Sequence, residues 1–133
     1  MQKNRTNAEG DTKISVQNGS RLIDRFTDGQ WLTMKSLPDA GLPGGAHYLA
    51  DAAKAAKNVH PQTFGGQILH VDQSNVYQLS SKGIVQHDRG LFAKEPIVGQ
   101  CYEVSYRRGV GTVKGEVSQM EGAKLEARRS QSL

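Results

Sequence analysis

Hydrophobic and polar positions alternate along residues 64–113 in short runs that are separated by turn-forming residues. The runs cover residues 67–71, 76–80, 84–89 and 101–106, with a last one at 110–113. Runs of about four to eight residues rich in Val, Ile and Tyr, bounded by Gly, Asn and Asp, are typical of antiparallel strands joined by tight turns. The pattern therefore predicts a mainly β fold, a small antiparallel β-barrel or rolled sheet of SH3-like or OB-like size.

Residues 14–57 carry mixed signals. The runs 22–26 and 29–34 predict a short hairpin around Thr27-Asp28-Gly29, and residues 38–45 form a linker rich in Pro and Gly. Residues 48–57 have the Ala-rich composition of a short helix, which would have to dock on the sheet because an isolated helix of this length is marginal in water. The alternative is that residues 46–49 lead into the barrel as extended chain.

The two ends of the chain are poor in large apolar side chains, and the whole sequence is only 36% hydrophobic. Such segments do not offset the backbone entropy of ordering, about 1–2 kcal/mol per residue, so residues 1–19 and 115–133 are predicted to be mobile. Three parts follow from this reading. They are a partly disordered N-terminal segment with a short hairpin (1–42), a β domain (43–113) and a polar flexible C-terminal tail (114–133).

Charge and cysteine content narrow the possible ligands and the cellular compartment of the protein. The net charge is +4, and the 17 Lys and Arg are spread along the chain without forming a concentrated basic arm. Composition alone therefore favours nucleic-acid binding only modestly. The single cysteine, Cys101, has no intramolecular partner for a disulfide, and no uninterrupted apolar run approaches the roughly 18 residues of a membrane span. These features predict a protein of the reducing cytoplasm.

His70, Asp72, His87 and Asp88, with Arg89 next to them, form the one cluster that suggests catalysis or metal binding, because they lie on neighbouring predicted strands. No third or fourth ligand with suitable spacing accompanies them. A His with an Asp near a turn more often orders the backbone through hydrogen bonds. We therefore predict no catalytic residue, no metal site and no cofactor.

Aromatic side chains on the predicted strands offer a way to bind single-stranded nucleic acid. Tyr77, Tyr102 and Tyr106 are the candidates for stacking on bases. The alternative is that these rings pack in the core or at its rim, which is the better expectation for a sheet with few Phe and Leu residues.

Basic side chains near predicted turns are the candidates for phosphate contacts. Arg107 and Arg108 lie at a Gly-containing hairpin tip, Lys114 follows the last predicted strand and Arg89 ends an earlier one. On an exposed turn such side chains reach phosphate without burying charge. The alternative is that they only keep a sheet edge soluble.

An ordered series of short motifs gives a family resemblance. The motifs are GGAHYL (44–49), AAKAAK (52–57), GQILHVD (66–72), NVYQ (75–78), GIVQHDR (83–89), PIVG (96–99) and VSYR (104–107). In this order they resemble the KfrB-type domain of conjugative plasmids and related mobile elements, over residues 43–113. The resemblance implies a part in plasmid maintenance or conjugation, and it implies no defined chemistry for particular residues.

Together these observations predict a non-enzymatic accessory protein that docks on a DNA-bound, plasmid-encoded protein partner. The alternative is a module that binds nucleic acid directly and largely without sequence preference, through the basic residues named above. Membrane association is not expected. The dispersed charge favours the first of these functions.

Overall fold

The structure is a computed structural model that describes residues 7–55, 61–108 and 110–117. The chain divides into two compact units. Of the described residues, the first contains 7–39 and 43–51, and the second contains 40–42, 52–55, 61–108 and 110–117.

The first unit is a four-stranded antiparallel sheet in the order β3-β2-β1-β4. Its strands are β1 (Thr12–Gln17), β2 (Ser20–Thr27), β3 (Gln30–Pro38) and β4 (Gly45–Tyr48). Asn-Gly and Asp-Gly dipeptides form the two hairpin loops, and all four loop residues have positive φ: 51° and 78° at Asn18 and Gly19, and 52° and 80° at Asp28 and Gly29. Such two-residue loops match the twist of antiparallel strands. The structure thus has a hairpin where residues 22–34 predicted one.

Strand β1 lies within the segment that was predicted to be mobile. Ile14 is fully buried and Val16 is 5% exposed, because both lie on the same face of β1. The two apolar residues alternate with polar ones, and a strand of this kind becomes stable when neighbouring strands pair with its backbone and its apolar face is covered. Both partners, β2 and β4, are supplied by residues farther along the chain.

The second unit is a six-stranded sheet in the order β10-β9-β6-β7-β8-β5. The strands are β5 (Ala53–Lys54), β6 (Gln62–Val71), β7 (Asn75–Ser80), β8 (Gly83–Asp88), β9 (Cys101–Arg107) and β10 (Val110–Val117). All neighbours are antiparallel except β5 and β8, which are parallel. The mainly β prediction is confirmed as a small sheet. The described strands run from one free edge to the other and form no closed barrel.

The core of the second unit consists of two adjoining clusters on one face of this sheet. Phe64, Val85, Val104 and Tyr106 belong to one cluster, and Ile68, Val76 and Tyr102 belong to the other. Gly66 lies between them on β6, where a Cβ atom would be 1.8 Å from the carbonyl oxygen of Leu79. No other residue fits this approach of two backbones.

The prediction of a short helix at residues 48–57 is wrong for those residues that the structure describes. Residues 45–48 form β4, Leu49–Asp51 is a single 3-10 turn and Ala53–Lys54 is β5. Strand pairing with β1 and β8 takes up the backbone hydrogen bonds that a helix would need. Residues 56 and 57 lie outside the described part.

The predicted boundaries also differ from the observed division. Residues 43–51 belong to the first unit and not to the β domain that was placed at 43–113. Lys114, assigned to the C-terminal tail, lies within β10. The rest of that tail, residues 118–133, is outside the described residues.

Candidate functional site

A buried polar network connects the middle strands of the second unit. The side-chain amide of Gln78 donates to the carbonyl oxygens of Gly66, at 3.1 Å, and Tyr102, at 2.9 Å. Its Oε1 is therefore the atom that faces His87 Nε2, at 2.8 Å. Because this oxygen only accepts, His87 Nε2 carries the proton. His87 Nδ1 then accepts a hydrogen bond from the Tyr106 hydroxyl at 2.5 Å.

Aromatic rings enclose the same imidazole. The rings of His87 and Tyr106 stack with centroids 5.5 Å apart, and Phe64 and Phe92 meet His87 edge-on. Burial lowers the pKa of His87 to about 4. Burial, and then the charge of Asp88, raise the pKa of Tyr106 to about 12. At neutral pH both groups are uncharged and closed off from solvent, so this network joins strands and does not present an acid or a base to a substrate.

The four residues of the suspected catalytic or metal cluster do not converge. His70 pairs with Tyr77 and His87 pairs with Val76, and since consecutive residues of β7 point to opposite faces, the two imidazoles lie on opposite faces of the sheet. Asp72 accepts hydrogen bonds from the backbone of the following turn. Within the described residues, no group of three or more His, Cys, Asp or Glu side chains is placed to hold a metal ion.

The three tyrosines proposed for base stacking are all buried. Tyr77, Tyr102 and Tyr106 are at most 9% exposed. The Tyr102 hydroxyl accepts a hydrogen bond from the backbone of Ile97. We therefore correct the stacking prediction in favour of its alternative, since these rings are part of the packed sheet and have no free face for a base.

Two of the four predicted phosphate-binding residues already have carboxylate neighbours. Arg89 Nη2 forms an ion pair of 2.7 Å with Glu95, and its Nη1 donates to the carbonyl oxygen of Asp72. Lys114 Nζ lies 3.9 Å from Glu103 Oε2. Glu103 is buried, and its Oε1 has no hydrogen-bond partner among the described residues, so Lys114 is the nearest compensating charge for that carboxylate. Arg89 is thus held in a short ion pair, whereas Lys114 stays exposed to solvent with a long contact to Glu103.

Arg107 and Arg108 are exposed at the loop between β9 and β10. Within the described residues neither forms an ion pair. The loop has two residues between Arg107 and Val110, and Arg108 has a positive φ of 54°. A third exposed cation, Lys82, lies in the equally short loop between β7 and β8. Lys82 was not among the residues predicted to bind phosphate, because only the order of the strands shows that its loop lies toward the same end of the sheet as the β9–β10 loop.

Strand β3 exposes apolar side chains that no sequence motif marked. Leu32 is 41% exposed and Met34 is 59% exposed. The strand is at the edge of the first sheet, with β2 as its single neighbour among the described strands. We call residues Gln30–Pro38 the β3 edge.

The second unit contains the segment that matches a known protein family. Residues 63–115 match the family described as KfrB Domain, which confirms the resemblance found in the sequence, although the match begins at Thr63 and leaves out the motifs at 44–57. Over 125 residues the chain is also 58% identical to a protein of Escherichia coli named Protein TraB, with 94% of this chain and 86% of that protein covered. The chain belongs to the family of Protein TraB and carries a KfrB domain. Membership in this family supports a plasmid-related role.

Among residues 7–55, 61–108 and 110–117, none of the helices has the length and apolar character needed to cross a bilayer.

Proposed function

We propose that this chain is a non-enzymatic, cytoplasmic accessory protein of plasmid maintenance or conjugation, and that it docks on a DNA-bound protein partner through the β3 edge. The observation that carries the proposal is the exposure of Leu32 and Met34 on a nine-residue edge strand. The family of the chain supports the plasmid setting.

An edge strand leaves alternate backbone N–H and C=O groups without a strand partner on its outer side. Proteins usually shorten such strands or place several charges along them. The other edge of this sheet, β4, follows the rule, since it has only four residues. The β3 edge has nine residues and one charged side chain, Lys35. It therefore combines a long row of backbone groups with apolar side chains that gain from being covered.

The occupant that fits this surface is an extended segment of a partner protein, which adds a strand to the sheet. In this mode the backbone hydrogen bonds give affinity, and alternate side chains give specificity. Leu32 and Met34 call for apolar side chains on the partner, and Lys35 favours an acidic one. A nucleic acid would gain little here, because the strand has a single cation to offer its phosphates.

A pull-down from the plasmid-bearing host, with and without nuclease, tests the proposal. The wild-type protein should retain a plasmid-encoded partner after nuclease treatment, whereas Leu32→Glu with Met34→Glu should lose it, because two carboxylates on the edge oppose strand addition. The matched control is Ile97→Glu, which changes an apolar side chain of similar exposure (53%) that lies in a loop. Far-UV circular dichroism checks that each variant is folded.

Two outcomes would overturn the docking role. One is that nuclease removes every captured protein. The other is that the double variant captures the partner as well as the wild type does. A change in particle size of the isolated protein, lost in the double variant, would instead identify a second copy of the chain as the occupant and would also contradict the proposal.

A further inference from the structure

We propose that the second unit has a binding site of its own for the sugar–phosphate backbone of nucleic acid, formed by Lys82, Arg107 and Arg108. We call these three residues the cationic end. The site goes beyond the docking role and shares no residue with the β3 edge. It differs from the set predicted from the sequence, because it includes Lys82 and leaves out Arg89 and Lys114.

Strand order brings the three cations to the same end of the sheet. Strand β6 is antiparallel to both of its neighbours, β7 and β9, so both of those strands run toward the end of the sheet at which β6 begins. Strand β7 ends level with Gly66, about four residues from the first residue of β6, whereas β9 ends level with that first residue. Gln62, the first residue of β6, pairs with Tyr106, which is next to Arg107. On the other side of β6, the Lys82 ammonium lies 6.0 Å from the centroid of the Phe64 ring.

The spacing of the two loops suits an extended polyanion. The β9–β10 loop and the β7–β8 loop are separated by three strand spacings in the order β10-β9-β6-β7-β8. At about 4.8 Å per spacing, the separation across the strands is about 14 Å, and the offset of about four residues along β6 adds about 13 Å in the strand direction. A nucleic-acid strand rises about 3.4 Å per nucleotide in a duplex, so the diagonal separation of about 19 Å corresponds to about six nucleotides. A single small phosphate would not reach both loops.

The charges of the sheet are distributed unequally between its two ends. The acidic residues Asp72, Asp88 and Glu95 lie at the opposite end, where Arg89 is paired with Glu95. At the cationic end, the described residues 61–64, 80–85, 105–108 and 110–112 include no Asp or Glu. The positive potential there is consequently not cancelled by a neighbouring carboxylate of these segments.

Both loops hold their backbones in a defined shape. The Ser80 hydroxyl accepts from the Lys82 N–H at 3.1 Å and donates to the Gly83 carbonyl at 2.9 Å, and Gly83 has a φ of +106°. In the other loop, Arg108 has the left-handed φ that two-residue hairpins require. Fixed turns place the cations at the tip of the sheet, and the long side chains adapt to phosphates without being buried.

Fluorescence anisotropy tests the site, with the full chain, a labelled duplex and the labelled single strand of the same sequence. Three phosphate contacts predict a slope of log affinity against log salt of about −2.7 on duplex and about −2.1 on single strand. Duplex affinity should then fall about 40-fold between 50 and 200 mM salt. A second duplex of unrelated sequence should bind equally well, because phosphates carry no sequence information.

The variants are Lys82→Gln, Arg107→Gln and Arg108→Asn, singly and together. Asn is chosen at position 108 because it tolerates positive φ better than Ala does. Each single change should reduce the duplex slope by about 0.9, and the triple variant should have a slope near zero. The control is Lys94→Gln, which removes an exposed cation from the loop between β8 and β9, at the opposite end of the sheet.

Equal loss of binding in Lys94→Gln and in the triple variant would show that net charge alone attracts the DNA, and would overturn the site. Unchanged slopes in the triple variant would overturn it as well. The β3-edge variant Leu32→Glu with Met34→Glu should keep the wild-type slope, apart from the small effect of its added charges. Failure of the docking role and failure of the cationic end therefore give different results.

Discussion

Acid should destabilise the second unit through the charging of His87. The imidazole is 1% exposed, and both of its nitrogens are committed to neutral hydrogen-bond partners, Gln78 and Tyr106. Protonation places a charge in this apolar surrounding, and none of the described carboxylates bonds to the ring. Burial accordingly lowers the pKa of His87 to about 4 in the folded protein.

The sign and size of the effect follow from proton linkage. An unfolded chain has a histidine pKa of about 6.5, so the unfolded state takes up the proton first as the pH falls. Stability is fully present above pH 6.5 and is lost between about 6.5 and 4. A difference of about 2.5 pKa units corresponds to a loss of about 3 kcal/mol, an order-of-magnitude value.

Urea unfolding over a series of pH values measures this loss, and the variant His87→Phe separates it from the titration of carboxylates. The variant should be less stable at pH 7, by about 1–3 kcal/mol, because Oε1 of Gln78 and the Tyr106 hydroxyl lose their partner. Between pH 6.5 and 4 its stability should change less steeply than that of the wild type. His47→Gln, in the first unit, controls for the loss of a histidine.

The reasoning is refuted if His87→Phe keeps the wild-type pH dependence. An NMR titration of the imidazole provides an independent check. A His87 ring that titrates near 6.5 in the folded protein would show that the network does not exclude the proton.

Three further substitutions test the packing of the second unit. Gln78→Leu should cost about 2–4 kcal/mol in urea unfolding, because it removes two buried hydrogen bonds to backbone carbonyl oxygens and leaves the His87 imidazole N–H unpaired. Gly66→Ala should cost more than about 2 kcal/mol in thermal unfolding, since its Cβ would overlap the Leu79 carbonyl, whereas Gly90→Ala, with open space around the new atom, should change stability by less than about 0.5 kcal/mol. Arg89→Ala should cost at most about 1 kcal/mol, because its ion pair is partly exposed to solvent; a larger loss would show that its contact with the Asp72 carbonyl matters more than the ion pair.

The strands of the second unit were predictable because their signals are local. The predicted runs 76–80, 84–89 and 101–106 correspond to Asn75–Ser80, Gly83–Asp88 and Cys101–Arg107. Apolar residues in each run and turn-forming residues between runs are visible within a few positions. Strand β1, and the extended conformation of the Ala-rich run that was predicted to be a helix, depend on pairing with strands that are distant in the sequence. The periodicity of the local sequence does not show such pairing.

Alternation along a strand indicates which side chains share a face but not whether that face is covered. In β9 the sequence placed Cys101 and Glu103 opposite Tyr102 and Val104, and all four are buried. Burial of β9 on both faces therefore could not be read from its alternation. The tyrosines show the same point, since packing was the better expectation from the sequence but only the structure shows that all three are buried.

The basic residues that could bind phosphate were recognisable in the sequence. Which of them are free of a carboxylate partner depends on the fold. Arg89 and Arg107 look alike in the sequence, since each stands where a strand ends and a loop begins. The loop after β8 places Glu95 in an ion pair with Arg89, whereas the described residues of the β9–β10 loop include no acidic residue near Arg107. Lys82 gains its significance only from the order of the strands.

The two proposed surfaces lead to a last prediction about how they act together. A site with three phosphate contacts is weak alone, with a dissociation constant of about 0.1 mM or weaker at physiological salt. A protein that docks on a DNA-bound partner holds this site near DNA at an effective concentration of about 1 mM. The wild type should then bind the partner–DNA complex more tightly than the partner alone, by up to about 10-fold.

Substitution of the cationic end should remove this gain and leave affinity for the partner alone unchanged. Substitution of the β3 edge should weaken both measurements, because docking is the step that brings the cations to the DNA. Titrations of labelled protein with the partner, with and without a bound duplex, make the comparison. Equal affinity of the wild type for both forms would show that the cationic end does not face the DNA when the partner is docked, and the two surfaces would then have to act in separate complexes.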